Sequence, residues 1–150
     1  MKLVSSSIEV RRLWPADMEA YRDHLLRLDA RSRHERFCGG MSDDSLVQYA
    51  EHCFGQGDLL YGAFIDGYLV SAAELRSSAA IWSERASFGR HIHAEAAFSV
   101  EEGFRRLGIG ERLFRRIQRA ASTHGVETIE IICKRHGDRT YQIARHPIAL

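Results

Sequence analysis

The stretch Ala94-Glu95-Ala96-Ala97-Phe98-Ser99-Val100-Glu101-Glu102-Gly103-Phe104-Arg105-Arg106-Leu107-Gly108-Ile109-Gly110-Glu111 passes from a strand pattern into a helix pattern through two closely spaced glycines. Ala96, Phe98 and Val100 alternate with Glu95, Ala97 and Ser99, which places the two sets on opposite faces of a strand over 94–100. Beyond Gly108-Ile109-Gly110, the apolar residues Leu113, Phe114, Ile117, Ala120 and Ala121 recur at helical spacing until His124-Gly125, where the glycine supplies a stop. Thr128-Ile129-Glu130-Ile131-Ile132-Cys133 then reads as an apolar strand. Strand, glycine turn, helix and strand form a βαβ unit, whose reach and handedness imply neighbouring parallel strands.

Gly108 and Gly110 let the backbone approach a ligand with no Cβ in the way. They stand where a helix amino terminus presents unpaired amides and a positive dipole end, so the turn suits a phosphate group, and Arg105 and Arg106 add charge. A P-loop would require a lysine, and none follows Gly110; a dinucleotide loop would require a third glycine near Leu113 and an acid after the next strand.

The elements on the amino-terminal side also break the order of either alternative. Ile8, Val10 and Leu13 mark a first strand, and Trp14-Pro15-Ala16-Asp17 opens a helix whose buried stripe is Met18, Tyr21, Leu25 and Leu28. Ser42 is the expected cap of a second helix with Leu46, Tyr49, Ala50 and Cys53 on its apolar face. Residues 30–40 between them are polar and carry Arg31, Arg33 and Arg36. Leu59 to Ile65, then Asp66-Gly67, then Tyr68-Leu69-Val70 is a hairpin signal. Residues 76–90 read as a loop, and residues 134–150 suit one short helix around Arg139 to Arg145, stopped before Pro147.

A chain of 150 residues, 45% hydrophobic, is sized for one domain over 1–150. Its net charge of +1 gives no general drive toward nucleic acid or membrane, although Arg105, Arg106, Arg112, Arg115, Arg116 and Arg119 cluster against the single acid Glu111. Cys38, Cys53 and Cys133 are odd in number without CxxC spacing, so reduced thiols in the cytoplasm are expected, and no apolar run is long enough for a membrane helix. His91 and His93 share a strand face without completing a metal site, so no metal is expected.

Arg105-Arg106-Leu107-Gly108-Ile109-Gly110 resembles the Arg/Gln-x-x-Gly-x-Gly/Ala signature that follows the fourth strand in the GNAT superfamily of N-acetyltransferases, and the likeness extends over 8–143. Within that superfamily, Ser32-Arg33-His34-Glu35-Arg36-Phe37 and Ala94-Glu95 resemble segments of bacterial protein-lysine acetyltransferases. The resemblance implies an α/β fold with a mixed sheet, opened between the fourth and fifth strands to admit pantetheine. It also implies acetyl-CoA as cosubstrate and a primary amine as acceptor, on a small molecule or a protein lysine, attacking the thioester directly. Carried over residue by residue, Phe98 and Val100, with Ser99 between them, line the pantetheine, and Arg105, Arg106, Leu107, Gly108, Ile109, Gly110 and Glu111 surround the pyrophosphate. Glu95 matches the family's general base; it is an acid on a strand whose other face is apolar, so partial burial is expected to raise its pKa toward a useful value. Tyr141, on the helix expected near the end, is the candidate acid for the leaving thiolate.

The carboxyl end departs from the family pattern. Gly137 stands at the usual Asn position and Pro147 replaces the usual Gly-Phe ending, so the last strands are expected to be missing. An uncovered edge on the strand from Thr128 to Cys133 then predicts a homodimer. The competing function class is a non-catalytic CoA-binding or regulatory module, favoured by the shortened end. Nucleic-acid binding through the arginine-rich helix is disfavoured by the near-neutral charge and the lack of an aromatic stacking pattern.

Overall fold

A computed structural model describes residues 7–37, 40–55, 58–76, 93–131 and 139–142. Asp66 and Gly67 both take positive φ, 50° and 80°, the geometry a tight hairpin turn demands, and join β2 (Leu59–Ile65) to β3 (Tyr68–Arg76). The six strands of the described residues lie in sequence order, β1 (Ile8–Arg12), β2, β3, β4 (His93–Val100), β5 (Thr128–Ile131) and β6 (Arg139–Gln142). Only β4 and β5 are parallel, as the glycine turn and intervening helix require; the other neighbours are antiparallel.

Alternation along the strands divides the core in two. On one face, α4 (Ile109–Thr123) buries Ile109, Leu113, Ile117, Ala120 and Ala121 against Leu75, Ala94, Ala96 and Ile129 of the sheet. On the other, α1 (Met18–Arg27) and α3 (Asp43–Gly55) pack Tyr21, Leu25, Leu46, Ala50 and Cys53 against Leu60, Phe64, Leu69 and Ala72. Ser42 caps α3 as expected, its Oγ accepting the Ser45 amide at 3.2 Å.

Residues 30–37, expected only as a polar connection, form the helix α2 (Ala30–Phe37). Asp29 Oδ1 accepts the Ser32 amide at 2.7 Å to start it, and Arg33 donates to the Leu28 and Leu26 carbonyls and to Asp43. Capping and guanidinium bonds hold this helix, with Ser32 its only buried residue, so apolar periodicity gives no sign of it.

The carboxyl end corrects the sequence expectation. Residues 139–142 form strand β6, not part of a helix, and pair antiparallel with β5 from Ile131↔Arg139 to Thr128↔Gln142. A strand after β5 is therefore present, and the edge of β5 on which the homodimer was expected is covered by the chain itself. Arg76, expected to begin a loop, ends β3, and residues 77–90 of that expected loop, His91, Cys38, Cys133, Gly137, the remainder of the expected helix and Pro147 lie outside the described residues. No helix of the described residues is long and apolar enough to cross a membrane.

Gly62 brings the β2 backbone close against two leucines of the second core. A Cβ there would sit 2.6 Å from Leu69 Cδ1 and 2.8 Å from Leu13 Cδ2, and both leucines are buried. Gly62→Val is expected to destabilise the protein by about 1–3 kcal/mol through overpacking, read as a lower urea midpoint with unchanged slope. An unchanged midpoint would show that the two leucines yield without loss.

Candidate active site

The chain leaves β4 through Glu101 and a short 3-10 turn at Glu102–Phe104, then reverses through Arg106 at φ 64° and Gly108 at φ 75°. Gly108 is the N-cap of α4, and its carbonyl accepts the first intrahelical bond, from the Arg112 amide at 3.2 Å. The amides of Ile109, Gly110 and Glu111 therefore have no acceptor within the helix. A Cβ at Gly108 or Gly110 would meet nothing within 4 Å, so the space before these amides is open. Ile109 is 1% exposed and pins this end of the helix to the core. Open space, unpaired amides and the positive helix end together fit a pyrophosphate.

The flanking residues divide into two groups. Arg106, Leu107 and Glu111 are exposed, and Glu111 pairs with Arg115 at 2.7 Å. Arg105 turns the other way and donates to Ser32 Oγ, tying the loop to the start of α2. Along β4, Phe98 packs 6.1 Å from Phe114 on the α4 side, while Ser99 faces α1. The β4–β5 ladder described ends at Ala96↔Ile131, and residues 97–100 of β4 run on past it toward the loop.

Glu95 lies on the face opposite α4 and lines a pocket of about 220 Å³ with Arg36, Phe37, Tyr49, Glu74, Arg76, Ala96 and Ala97. It is exposed, which corrects the partial burial expected from the apolar face of its strand. Among the described residues no ion pair engages its carboxylate. The deep side of the pocket is a charge network that sequence reasoning missed. Glu74 is 3% exposed and accepts bonds from Arg36 and Arg76, both at 2.7 Å, and from the Tyr49 hydroxyl. Burial alone would raise the Glu74 pKa, but Arg36, Tyr49 and Arg76 hold it below the ordinary value. Nearby Asp58 is pushed up to about 6, chiefly by burial and then by Glu74. Cys53, 3.8 Å from Glu74, is pushed up to about 12 by burial, which keeps the thiol protonated. The one sequence sign was a lone acid in the otherwise small, apolar run Ala72-Ala73-Glu74-Leu75.

A second network ties α1 to the exit of β4. His24, fully buried, places Nδ1 3.1 Å from Glu101 Oε2 and Nε2 2.8 Å from Ser99 Oγ, and Arg27 Nε donates to Glu101 Oε1 at 2.9 Å. Burial lowers the His24 pKa, against the opposing pull of Glu101, and favours the neutral ring. That ring carries its proton on Nδ1 toward the carboxylate and accepts the serine hydroxyl at Nε2. Burial would raise Glu101, but His24 and Arg27 bring it below its ordinary value.

Tyr141 stands on strand β6 opposite Ile129, not on the expected helix, and β5 separates that strand from β4. Two strand spacings place the two backbones roughly 10 Å apart. The described residues contain no group of three or more His, Cys, Asp or Glu side chains arranged to hold a metal ion.

The loop, the parallel β4–β5 pair and the carboxylate beside them define an acyl-CoA N-acyltransferase architecture. The sequence profile of the acetyltransferase (GNAT) family matches residues 11–145, and the chain belongs to that family. Similar solved structures share the fold at low identity. The GNAT domain of S. lividans PAT is 19% identical, with a TM-score of 0.64 over 83% of this chain and 70% of that one. The aminoglycoside N-acetyltransferase AAC(6')-Iy in complex with CoA is 14% identical, with a TM-score of 0.62 over 100% of both chains. Ribosomal-protein-alanine N-acetyltransferase from Brucella melitensis biovar Abortus 2308 is 17% identical, with a TM-score of 0.61 over 87% of this chain and 82% of that one. No curated protein sequence matches the chain significantly.

The His24 network carries a pH signature. In the unfolded chain the imidazole takes up a proton near its ordinary value of 6.5, whereas the folded value is lower, so its contribution is complete above 6.5 and is lost as pH falls through the folded value. Glu101 adds a loss of the same sign below its ordinary value of 4.5. Wild type should exceed His24→Asn in stability at pH 8, and the gap in urea midpoint should narrow as pH falls below 6.5. A constant gap would contradict the buried neutral ring.

Proposed function

We propose that the chain transfers an acetyl group from acetyl-CoA to a primary amine, on a small molecule or a protein lysine, with Glu95 as the general base. The reading rests on one juxtaposition. A single strand, β4, carries a carboxylate without an ion pair among the described residues at its start and delivers the chain into the open glycine loop at its end. Acetyl-CoA, when bound, supplies an activated thioester. The amides of Ile109, Gly110 and Glu111 hold its pyrophosphate, and backbone groups of Phe98 and Val100 align the pantetheine arm, with Ser99 between them. Arg105, tied to Ser32, acts on this loop by fixing its course, while Arg106 and Leu107 form its outer rim.

The acceptor enters from the pocket side. An ammonium substrate gives its proton to the Glu95 carboxylate, and the free amine then attacks the thioester; no covalent enzyme intermediate is needed. The rings of Phe37 and Tyr49, 5.0 Å apart and edge to face, form an apolar wall for the arm that bears the amine. A volume of about 220 Å³ holds roughly seven waters. That space suits a short amine arm, such as one lysine side chain or the end of a small molecule. The names of two similar structures, an aminoglycoside N-acetyltransferase and a ribosomal-protein-alanine N-acetyltransferase, support an amine acceptor. Tyr141 on β6 is not assigned the acid role, because the helix on which that role depended is a strand.

Thiol release from acetyl-CoA across a panel of amines tests this reading. Glu95→Gln should lower kcat by about 10²–10⁴-fold with a much smaller change in CoA affinity, since the lost step is proton removal. Binding of CoA with no turnover on any amine would favour the regulatory module. Full turnover by Glu95→Gln would remove Glu95 from the chemistry.

A further inference from the structure

Arg76 and Glu95 are direct partners in the antiparallel register of β3 and β4, so they stand side by side on the pocket face. Opposed positions of this kind bring Cβ atoms to about 4.5–5.5 Å, where a guanidinium and a carboxylate ordinarily pair. Here they do not. Arg76 instead donates to Glu74 Oε1 at 2.7 Å and to the Tyr49 hydroxyl at 3.2 Å, with Nε 3.6 Å from Asp58 Oδ2. Three groups on three different segments thus draw one half-exposed guanidinium away from the carboxylate beside it.

The other described charges around Glu95 are also committed. From α2, Arg36 donates to Glu74 and Tyr49; from α3, the Tyr49 hydroxyl donates a hydrogen bond to Glu74. On β5, Glu130 is the register partner of Glu95, and its carboxylate lies 3.1 Å from His93 Nε2, two residues before Glu95 on its own strand. Glu95 therefore has a carboxylate on its β5 side and a guanidinium turned away on its β3 side.

We propose that Asp58 and Glu74 are positioning residues that hold Arg76 off Glu95, leaving its carboxylate free to accept the proton of the acceptor ammonium. The proposal rests on the reading of Glu95 as the base. A cation in contact with a carboxylate lowers its pKa by about 1–3 units, which weakens it as a base and lets it titrate at lower pH. Asp58 is the place to test this, because Asn at that position keeps the size and removes the charge. Glu74 is too deeply built into the core for a clean substitution.

The experiment is kcat/KM from pH 5 to 9 for wild type, Asp58→Asn, Arg76→Gln, the double variant and Glu95→Gln. Asp58→Asn should lower the plateau between pH 7 and 9, where Asp58 carries its charge, by about 3–10-fold, because Arg76 swings onto Glu95. The gap to wild type should narrow at lower pH, as Asp58 itself takes up a proton. In the Arg76→Gln background the same Asp58→Asn change should cost nothing further. An Asp58→Asn plateau equal to wild type, or an equal loss in the Arg76→Gln background, overturns the proposal. A plateau in Arg76→Gln above wild type would also overturn it, since Arg76 would then already be acting on Glu95; this arm stands even if Asp58→Asn fails to fold. A Glu95→Gln variant with wild-type rate overturns the base reading and the proposal with it. Its loss of rate beside an unchanged Asp58→Asn plateau overturns the proposal alone.

Discussion

The seating of α4 on the sheet is the constraint on which the site depends. Ile109, Leu113, Ile117, Ala120 and Ala121 are all buried, and they lock the axis of the helix over β2, β3 and β4. Because Ile109 is the first helical residue, the packed stripe begins at the glycine loop itself. The amides that face open space are therefore held by core packing one residue away, without reliance on a flexible loop. Gly108 makes this possible, since its left-handed backbone turns the chain sharply enough for the next residue to enter the core.

The opposite face of the sheet serves a different purpose. Its core is interrupted by two polar clusters, one around Glu74 and one around His24 and Glu101. Both join helices to strands through charged hydrogen bonds, which fix direction more sharply than apolar contacts do. The His24 cluster sets where β4 ends and the loop begins. The Glu74 cluster shapes the floor of the pocket under Glu95. The glycine loop is thus held from both faces of β4, by α4 on one and the His24 cluster on the other, and the pocket under Glu95 from the second face alone.

What the sequence disclosed follows the range of the interactions involved. The hairpin at Asp66-Gly67, the alternation along β4 and the stripe of α4 are local patterns, and each appears in the structure as expected. α2 was hidden because a cap and Arg33 hold it in place of an apolar face. β6 was hidden because Arg139-Thr140-Tyr141-Gln142 has no strand alternation of its own and takes its form from the edge of β5. The same limit applies to the site. The glycine loop is contiguous and was legible, whereas Glu74 meets Arg36 and Tyr49 from 38 and 25 residues away. The exposure of Glu95 also depends on what covers its strand face, which alternation along one strand does not specify.

The central claim is that CoA is held on the amides at the head of α4. Calorimetric titration of CoA into wild type and Gly110→Val tests it directly. Gly110 is helical and a Cβ added there meets nothing within 4 Å beyond its own turn of the helix, so the variant should fold as wild type does while filling the space for the pyrophosphate. Saturable binding by wild type, weakened at least about 100-fold in a folded Gly110→Val, equivalent to about 2.7 kcal/mol, is the expected result. Equal affinity in the two proteins would place CoA elsewhere and contradict the account.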